Sequence, residues 1–97
     1  MDDLMYYNKL YDFYGELLTD KQKEYFEYYY FDNLSLGEIA DNLGVSRNAV
    51  HKQLQNVKEK LDFFEEKLKL NQINEKLEKI VMKINDEKIK EEIRNKF

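Results

Sequence analysis

Between Leu36 and Leu54 the apolar residues fall at spacings of three and four, and a single glycine, Gly44, interrupts them. The stretch reads Leu-x-x-Ile-Ala-x-x-Leu-Gly-Val-Ser-x-x-x-Val-x-x-x-Leu, which predicts two short amphipathic helices joined by a tight turn. Two helices cross steeply only where the first leaves room for the second and the turn residue accepts a positive φ. Ala40 and Gly44 meet these two needs. The sequence therefore predicts a helix-turn-helix unit, and the alternative is an ordinary helical hairpin with a glycine turn.

Capping residues mark the starts of three predicted helices. Thr19 and Gln22 can form a capping box, in which each side chain binds the backbone amide of the other residue. Ser35 and Glu38 repeat this pattern directly before the helix-turn-helix unit. Ser46 is an N-cap candidate for the second helix of the unit. These residues define where the helices are expected to begin.

The composition extends the helical prediction to the whole chain. The 97 residues include no proline, no cysteine and 3 glycines, which is typical of helices rather than of a turn-rich β-fold. We predict an all-α fold of about six helices, with a helix-turn-helix core, one long helix and a helical tail. Residues 1–70 are expected to form the helix-turn-helix domain and residues 71–97 a C-terminal helical extension. Because no apolar run approaches the roughly 20 residues of a membrane span, we expect a cytoplasmic protein.

Two apolar stripes follow the start of the second helix of the unit. The first consists of Val50, Leu54, Val57, Leu61, Phe64 and Leu68, and the second of Leu70, Ile73, Leu77, Ile80 and Ile84. Because the phase changes between them, we predict a kink or loop near Lys69–Asn74, and a further break at Asn85–Asp86. The stripes exceed what a domain of this size needs for its own closure. The tail therefore either folds back onto the aromatic helix or pairs with a second copy, and we favour a homodimer.

If the unit enters a major groove, the exposed residues at the start of its second helix must face the base edges. Those residues are Arg47, Asn48, His51, Lys52 and Gln55. Arginine suits guanine, and asparagine or glutamine suits adenine. Ser46 and the free amides beside it can receive a phosphate, as can Lys58 further along the helix. The alternative is an ordinary solvated helix face.

The charge distribution leaves both a nucleic-acid partner and a protein partner open. The formal net charge is -4. Residues 1–34 carry 8 acidic and 3 basic residues, residues 35–60 carry 3 and 4, and residues 61–97 carry 9 and 9. The middle stretch alone is net positive. Four basic residues make a small footprint for phosphates, so the protein-partner alternative stands beside the nucleic-acid prediction.

The predicted second helix carries more aromatic residues than one face can hold. Between Asp20 and Asp32 they are Tyr25, Phe26, Tyr28, Tyr29, Tyr30 and Phe31. We expect Phe26, Tyr29 and Tyr30 to form core beneath the helix-turn-helix. For Tyr25 and Tyr28 two interpretations stay open: contact with the first helix or the tail, or a surface for a protein partner, since tyrosines are enriched at interfaces.

Nothing in the sequence predicts catalysis. His51 is the one histidine, no cysteine is present, and a single histidine cannot by itself make a zinc site. The sequence offers neither an activated nucleophile nor a glycine-rich phosphate loop. We therefore expect no catalytic residues, no metal, no cofactor and no small-molecule substrate.

Three stretches resemble one family of small bacterial proteins. Residues 10–22 read Leu-Tyr-Asp-Phe-Tyr-Gly-Glu-Leu-Leu-Thr-Asp-Lys-Gln, residues 33–40 read Asn-Leu-Ser-Leu-Gly-Glu-Ile-Ala, and residues 44–47 read Gly-Val-Ser-Arg. Over residues 4–70 the chain resembles the YlxM-type helix-turn-helix proteins of Gram-positive bacteria and mollicutes. The resemblance implies a sigma region 4-like fold and a regulatory role linked to the signal recognition particle pathway. The partners it implies are DNA, the particle RNA or the particle GTPases.

Overall fold

The computed structural model describes residues 3–96, most of which lie in helices. The five α-helices are α1 (Asp3–Tyr14), α2 (Asp20–Phe26), α3 (Leu36–Leu43), α4 (Arg47–Leu68) and α5 (Leu70–Lys96). A 3-10 turn, Gly15–Leu17, follows α1, and a π-helical stretch, Glu27–Phe31, continues α2. No strand occurs within the described residues. The predicted all-α fold is confirmed.

Both predicted capping boxes are present. Thr19 Oγ1 accepts a hydrogen bond from the Gln22 amide at 3.1 Å, and the Thr19 amide donates to Gln22 Oε1 at 3.0 Å. Ser35 and Glu38 form the same pair of bonds, at 3.1 and 3.0 Å. Such caps satisfy amides that a helix start leaves without partners, and each contributes about 1 kcal/mol. In the second box, the hydrogen bonds from the Ser35 amide and hydroxyl hold the pKa of the Glu38 carboxyl below its ordinary value.

Two hydrophobic clusters are built on the single helix α4. The first, which we call the helix-turn-helix core, consists of Tyr25, Ile39, Ala40, Val50 and Leu54. The second, which we call the α1 core, consists of Leu10, Tyr14, Leu18, Phe26, Tyr30, Val57 and Leu61. The first predicted stripe thus crosses from one core to the other along α4. It ends in solvent, since Leu68 is 49% exposed.

The π-helical stretch divides the aromatic run between the core and the surface. Phe26 and Tyr30 are buried, as predicted, but in the α1 core rather than beneath the helix-turn-helix, and their rings stack at a centroid distance of 4.4 Å. Tyr29, also predicted as core, is 37% exposed, and its ring meets the edge of Tyr30 at 5.0 Å. Phe31 is 50% exposed. The prediction for Tyr29 is wrong because adjacent residues of a helix point in different directions, so Tyr29 cannot follow Tyr30 inward.

The chain turns from α4 into α5 at one residue, Lys69, whose φ of 54° lies in the left-handed region. The Glu65 carboxylate is buried beneath this corner, and its Oε1 accepts from the Tyr14 hydroxyl at 2.7 Å and from the Asn71 amide at 3.1 Å. The Tyr14 hydroxyl in turn accepts from the Leu70 amide at 3.0 Å. The first two amides of α5 therefore have buried acceptors. The kink predicted from the phase change is confirmed here.

The second predicted break, at Asn85–Asp86, does not occur, because α5 runs without interruption from Leu70 to Lys96. Neither residue is a glycine or a proline, so nothing stops the helix. Instead the apolar pattern changes sides: Met82, Ile89 and Ile93 lie roughly 150° around the helix from the second stripe, at 100° per residue. α5 gives the molecule its longest extent, 66 Å against 27 and 23 Å. Across the described residues, no helix is long and apolar enough to cross a membrane.

Candidate nucleic-acid interface

The turn between α3 and α4 has the geometry that its sequence predicts. Gly44 adopts the left-handed conformation, with φ 67° and ψ 36°, and the amides of Gly44 and Val45 both donate to the Ala40 carbonyl. Ser46 then caps α4, because its Oγ accepts from the Ala49 amide at 3.1 Å. Ala40 is 5% exposed in the helix-turn-helix core. The predicted helix-turn-helix unit is therefore present, and the start of α4 is fixed by both the turn and the cap.

The structure brings most of the predicted contact residues together on the solvent side of α4. Ser46, Arg47, Asn48, His51, Lys52 and Gln55 are all exposed. Val50 and Leu54 between them are buried in the helix-turn-helix core, which fixes the rotation of the helix. At 100° per residue, Asn48, Lys52 and Gln55 share one side of the exposed surface, while Arg47 and His51 share the adjacent side. These six residues form what we call the α4 face.

Arg47 lies against the first turn of α3. A Cβ atom built on Gly37 would come within 2.9 Å of Arg47 Nη2 and 3.0 Å of Nε. The absence of a side chain at Gly37 therefore leaves the space in which the guanidinium sits. Arg47 is exposed, but its guanidinium lies beside Gly37 of α3.

Lys58 lies apart from the α4 face, in a contact with α1. Its Nζ is 3.9 Å from the Asp3 carboxylate, 5.5 Å from the centre of the Tyr7 ring and 6.0 Å from that of Tyr30. An ammonium group over aromatic faces is attracted by the ring electrons. The same ammonium limits the rise that burial causes in the pKa of the Tyr30 phenol. The sequence alone does not predict this arrangement, because α1 and Lys58 are far apart in the chain.

The two tyrosines proposed as a partner surface differ in position. Tyr25 is 2% exposed and belongs to the helix-turn-helix core, so its ring packs the fold. This corrects both interpretations of Tyr25, as a partner surface and as a contact of the first helix or the tail, because it clusters with buried residues of α3 and α4. Tyr28 is half-buried at the edge of the helix-turn-helix core and keeps part of its ring in solvent.

The electrostatics of the α4 face differ from those of its surroundings. Within the described residues the ion pairs are Lys23–Glu16 at 3.3 Å and Lys58–Asp3 at 3.9 Å, so neither involves Arg47 or Lys52. The same part of the chain contains no group of three or more His, Asp or Glu side chains placed to hold a metal ion. The α4 face can therefore offer two cations, two amide side chains, an imidazole and a capped helix start.

A capped recognition helix exposed beyond a glycine turn defines a helix-turn-helix protein. The family model described as "Putative helix-turn-helix protein, YlxM / p13 like" matches residues 1–97, and the chain belongs to this family. The resemblance identified from the sequence is therefore confirmed.

Relatives from several bacteria share this similarity. The UPF0122 protein of Caldanaerobacter subterraneus is 46% identical over 85 residues, covering 88% of this chain and 73% of its own length. That of Thermoanaerobacter sp. is 51% identical over 83 residues, covering 81% of this chain and 71% of its own. That of Listeria innocua is 52% identical over 61 residues, covering 63% of this chain and 56% of its own.

Proposed function

We propose that this protein is a regulator that binds nucleic acid through the α4 face. The observation that carries the proposal is the exposure of Arg47, Asn48 and Lys52 at the start of a helix whose opposite side is locked in the core. A helix presented in this way fits the major groove of B-DNA, which is about 12 Å wide. The major groove of A-form RNA is too deep and narrow for side chains to read. Duplex DNA is therefore the ligand that suits this face best.

Each residue of the α4 face has a role in this proposal. Arg47 can donate two hydrogen bonds to a guanine edge, and Asn48 or Gln55 can pair with adenine. Ser46, with the amides of the first turn of α4, can receive a backbone phosphate, and Lys52 can neutralise another. Lys58 joins the proposed interface only if its contact with α1 opens. His51 contributes a donor or an acceptor, according to its tautomer.

Binding of the full chain to a pool of duplex DNA, measured by fluorescence anisotropy across a salt series, tests the proposal. Because each neutralised phosphate contributes about one unit to the salt dependence, and Lys52 is the phosphate contact of this pair, the Arg47→Ala/Lys52→Ala variant should lower the slope by about one. Its affinity should fall by roughly tenfold or more. The matched control is Lys21→Ala/Lys88→Ala, which removes the same charge away from α4 and should leave the slope unchanged. An equal effect of both variants would exclude the α4 face.

The cellular setting is a finer part of the proposal and rests on family resemblance. It is a link to the signal recognition particle pathway, with the particle RNA as a second ligand. Particle RNA measured beside duplex DNA in the same titrations tests it, and a pull-down with the particle GTPases tests the alternative of an accessory protein without nucleic-acid contact. Homodimerisation through the tail, which the sequence favours, is the alternative use of this surface, and sedimentation of the chain at tens of micromolar tests it.

A further inference from the structure

α5 exposes to solvent an apolar stripe that belongs to neither hydrophobic core. The stripe consists of Leu70 (40% exposed), Ile73 (50%), Leu77 (53%), Ile80 (54%) and Ile84 (56%). Both hydrophobic cores are complete without it, since the buried positions of α4 end at Glu65 and those of α5 at Asn71. A row of large apolar side chains this exposed marks an interaction surface on a soluble protein. We call it the α5 stripe.

Because α5 is one uninterrupted helix, its residues can be given heptad positions. The α5 stripe occupies the positions called a and d, beginning with Leu70 at a, which is the pattern of a helix that packs along a second helix. The residues that flank such a stripe lie at positions e and g, and their charges set the choice of partner. Position g carries Lys76, Lys83 and Lys90, which are spaced by seven residues.

The opposite flank carries no negative charge either. Position e holds Asn74, Val81 and Lys88. Nearer the corner, this side of α5 is occupied by α1: Lys9, Asp12 and Phe13 line a shallow cleft against Asn71, Asn74, Glu75 and Glu78. A partner helix therefore reaches the α5 stripe from the side that bears Lys76 and Lys83.

These flanks oppose the pairing of α5 with α5 of a second copy. In an antiparallel pair the g positions face each other, so Lys76 would meet Lys83 of the second copy. In a parallel pair g faces e, so Lys83 would meet Lys88. Like charges at these positions discriminate against a partner. A helix with acidic residues at its flanks would instead meet opposite charges in either orientation.

We propose that the α5 stripe docks one amphipathic helix of another protein, whose apolar face covers Ile73, Leu77 and Ile80 and whose acidic residues pair with Lys76 and Lys83. This surface lies beyond both cores, and its use does not depend on nucleic-acid binding by the α4 face. A short ion-paired helix interface of this kind is sensitive to salt, because its flanking charges stay close to solvent.

Two designed peptides test the proposal against the full chain by fluorescence anisotropy. Each has three heptads with isoleucine at a and leucine at d, and they differ in carrying glutamate or lysine at e and g. We expect the glutamate peptide to bind at least roughly tenfold more tightly at low salt, and the difference to shrink as salt rises. Equal binding of the two peptides, or binding of neither, would overturn the proposal.

Charge reversal provides the matched comparison. Lys76→Glu/Lys83→Glu should invert the preference, so that the lysine peptide binds more tightly. Lys21→Glu/Lys79→Glu makes the same change of charge away from the e and g positions and should keep the original preference. All four lysines are exposed, so circular dichroism should show an unchanged helix content in both variants.

Sedimentation of the chain alone tests the remaining candidate for the α5 stripe, which is a second copy of the chain. A monomeric mass is expected. A dimeric mass that becomes monomeric in Ile80→Asp would show that a second copy covers the α5 stripe, and would overturn the proposal.

Discussion

The Tyr14 hydroxyl donates a 2.7 Å hydrogen bond to Glu65 Oε1, which joins the end of α1 to the end of α4 across 51 positions of the chain. The same hydroxyl accepts from the Leu70 amide, and the same carboxylate oxygen accepts from the Asn71 amide. Tyr14 is fully buried and Glu65 is 5% exposed. Burying a carboxylate is unfavourable unless its oxygens are hydrogen-bonded. We therefore expect this network to stabilise the corner between α4 and α5.

Tyr14→Phe should therefore destabilise the chain by about 1–3 kcal/mol, because it leaves a buried carboxylate and a partly buried amide each short of one partner. Urea unfolding followed by circular dichroism measures the loss. Hydrogen exchange at the Leu70 and Asn71 amides should also accelerate. Tyr29→Phe is the control, since Tyr29 is 37% exposed, and it should change stability by less than about 0.5 kcal/mol. Equal losses in the two variants would contradict the role given to the network.

Stability should fall as pH rises above about 10, the ordinary pKa of tyrosine. Burial, reinforced by hydrogen bonds to Asp62 and Glu27, raises the pKa of the Tyr7 and Tyr11 phenols, and burial with the bond to Glu65 raises that of Tyr14. The folded chain therefore holds protons that the unfolded chain releases. This stabilisation is complete below the unfolded pKa and is lost as pH rises through the folded pKa.

Alkaline titration followed by tyrosine absorbance checks this expectation. The phenols of Tyr7, Tyr11 and Tyr14 should ionise only above the ordinary pKa, together with the loss of helical circular dichroism. A single ionisation step for all tyrosines in a chain that stays folded would contradict the raised values.

Gly44→Ala should destabilise the chain by about 1 kcal/mol or more through backbone conformation alone. The φ of 67° at this position is unfavourable for any residue with a Cβ, yet a Cβ built there would meet nothing within 4 Å. Gly44→Asn should cost less, because asparagine tolerates the left-handed region. Thermal unfolding of the two variants gives the order, and a greater loss in the asparagine variant would point to a steric cause instead.

Gly37→Ala should weaken the binding of duplex DNA and leave the stability of the fold nearly unchanged. The new methyl group would displace the Arg47 guanidinium, a flexible group in solvent, so the melting temperature should change little. Because the guanidinium loses its place beside α3, affinity for duplex DNA should fall by several-fold. Anisotropy titrations of the variant, and of Gly37→Ala combined with Arg47→Ala, provide the measurement. If the added Gly37→Ala change still weakens binding when Arg47 is absent, the effect does not pass through the guanidinium.

Lys58→Met should affect DNA binding less than Lys52→Ala does, because Lys58 faces Asp3, Tyr7 and Tyr30 rather than the α4 face. Methionine keeps most of the aliphatic contact with the rings. The salt slope of the anisotropy titration should therefore stay within error of the unchanged chain. A loss as large as that of Lys52→Ala would place Lys58 in the interface.

Local signals predicted the helix-turn-helix unit well. The two capping boxes, the left-handed Gly44 and the Ser46 cap each depend on residues within four positions of one another, so the sequence carries them directly. The exposed positions at the start of α4 followed from the same periodicity. What they bind remains a prediction.

Features that depend on distant parts of the chain could not be predicted. The burial of Tyr25 depends on its packing with Ile39, Val50 and Leu54, which lie far along the chain. The contact between Lys58 and Asp3 needs α1 to be placed first. The seven-residue spacing of lysines in α5 was present in the sequence, but it acquires a meaning only once Asn85–Asp86 is known to lie within one helix.

Because the helix-turn-helix core and the α1 core share α4, the melting of one core should destabilise the other. Val50 and Leu54 belong to one core and Val57 and Leu61 to the other, along a rod of about 33 Å. Unfolding should thus be a single cooperative transition. A ligand that protects the first turn of α4 should also slow hydrogen exchange beneath Tyr14, at the far end of the same rod.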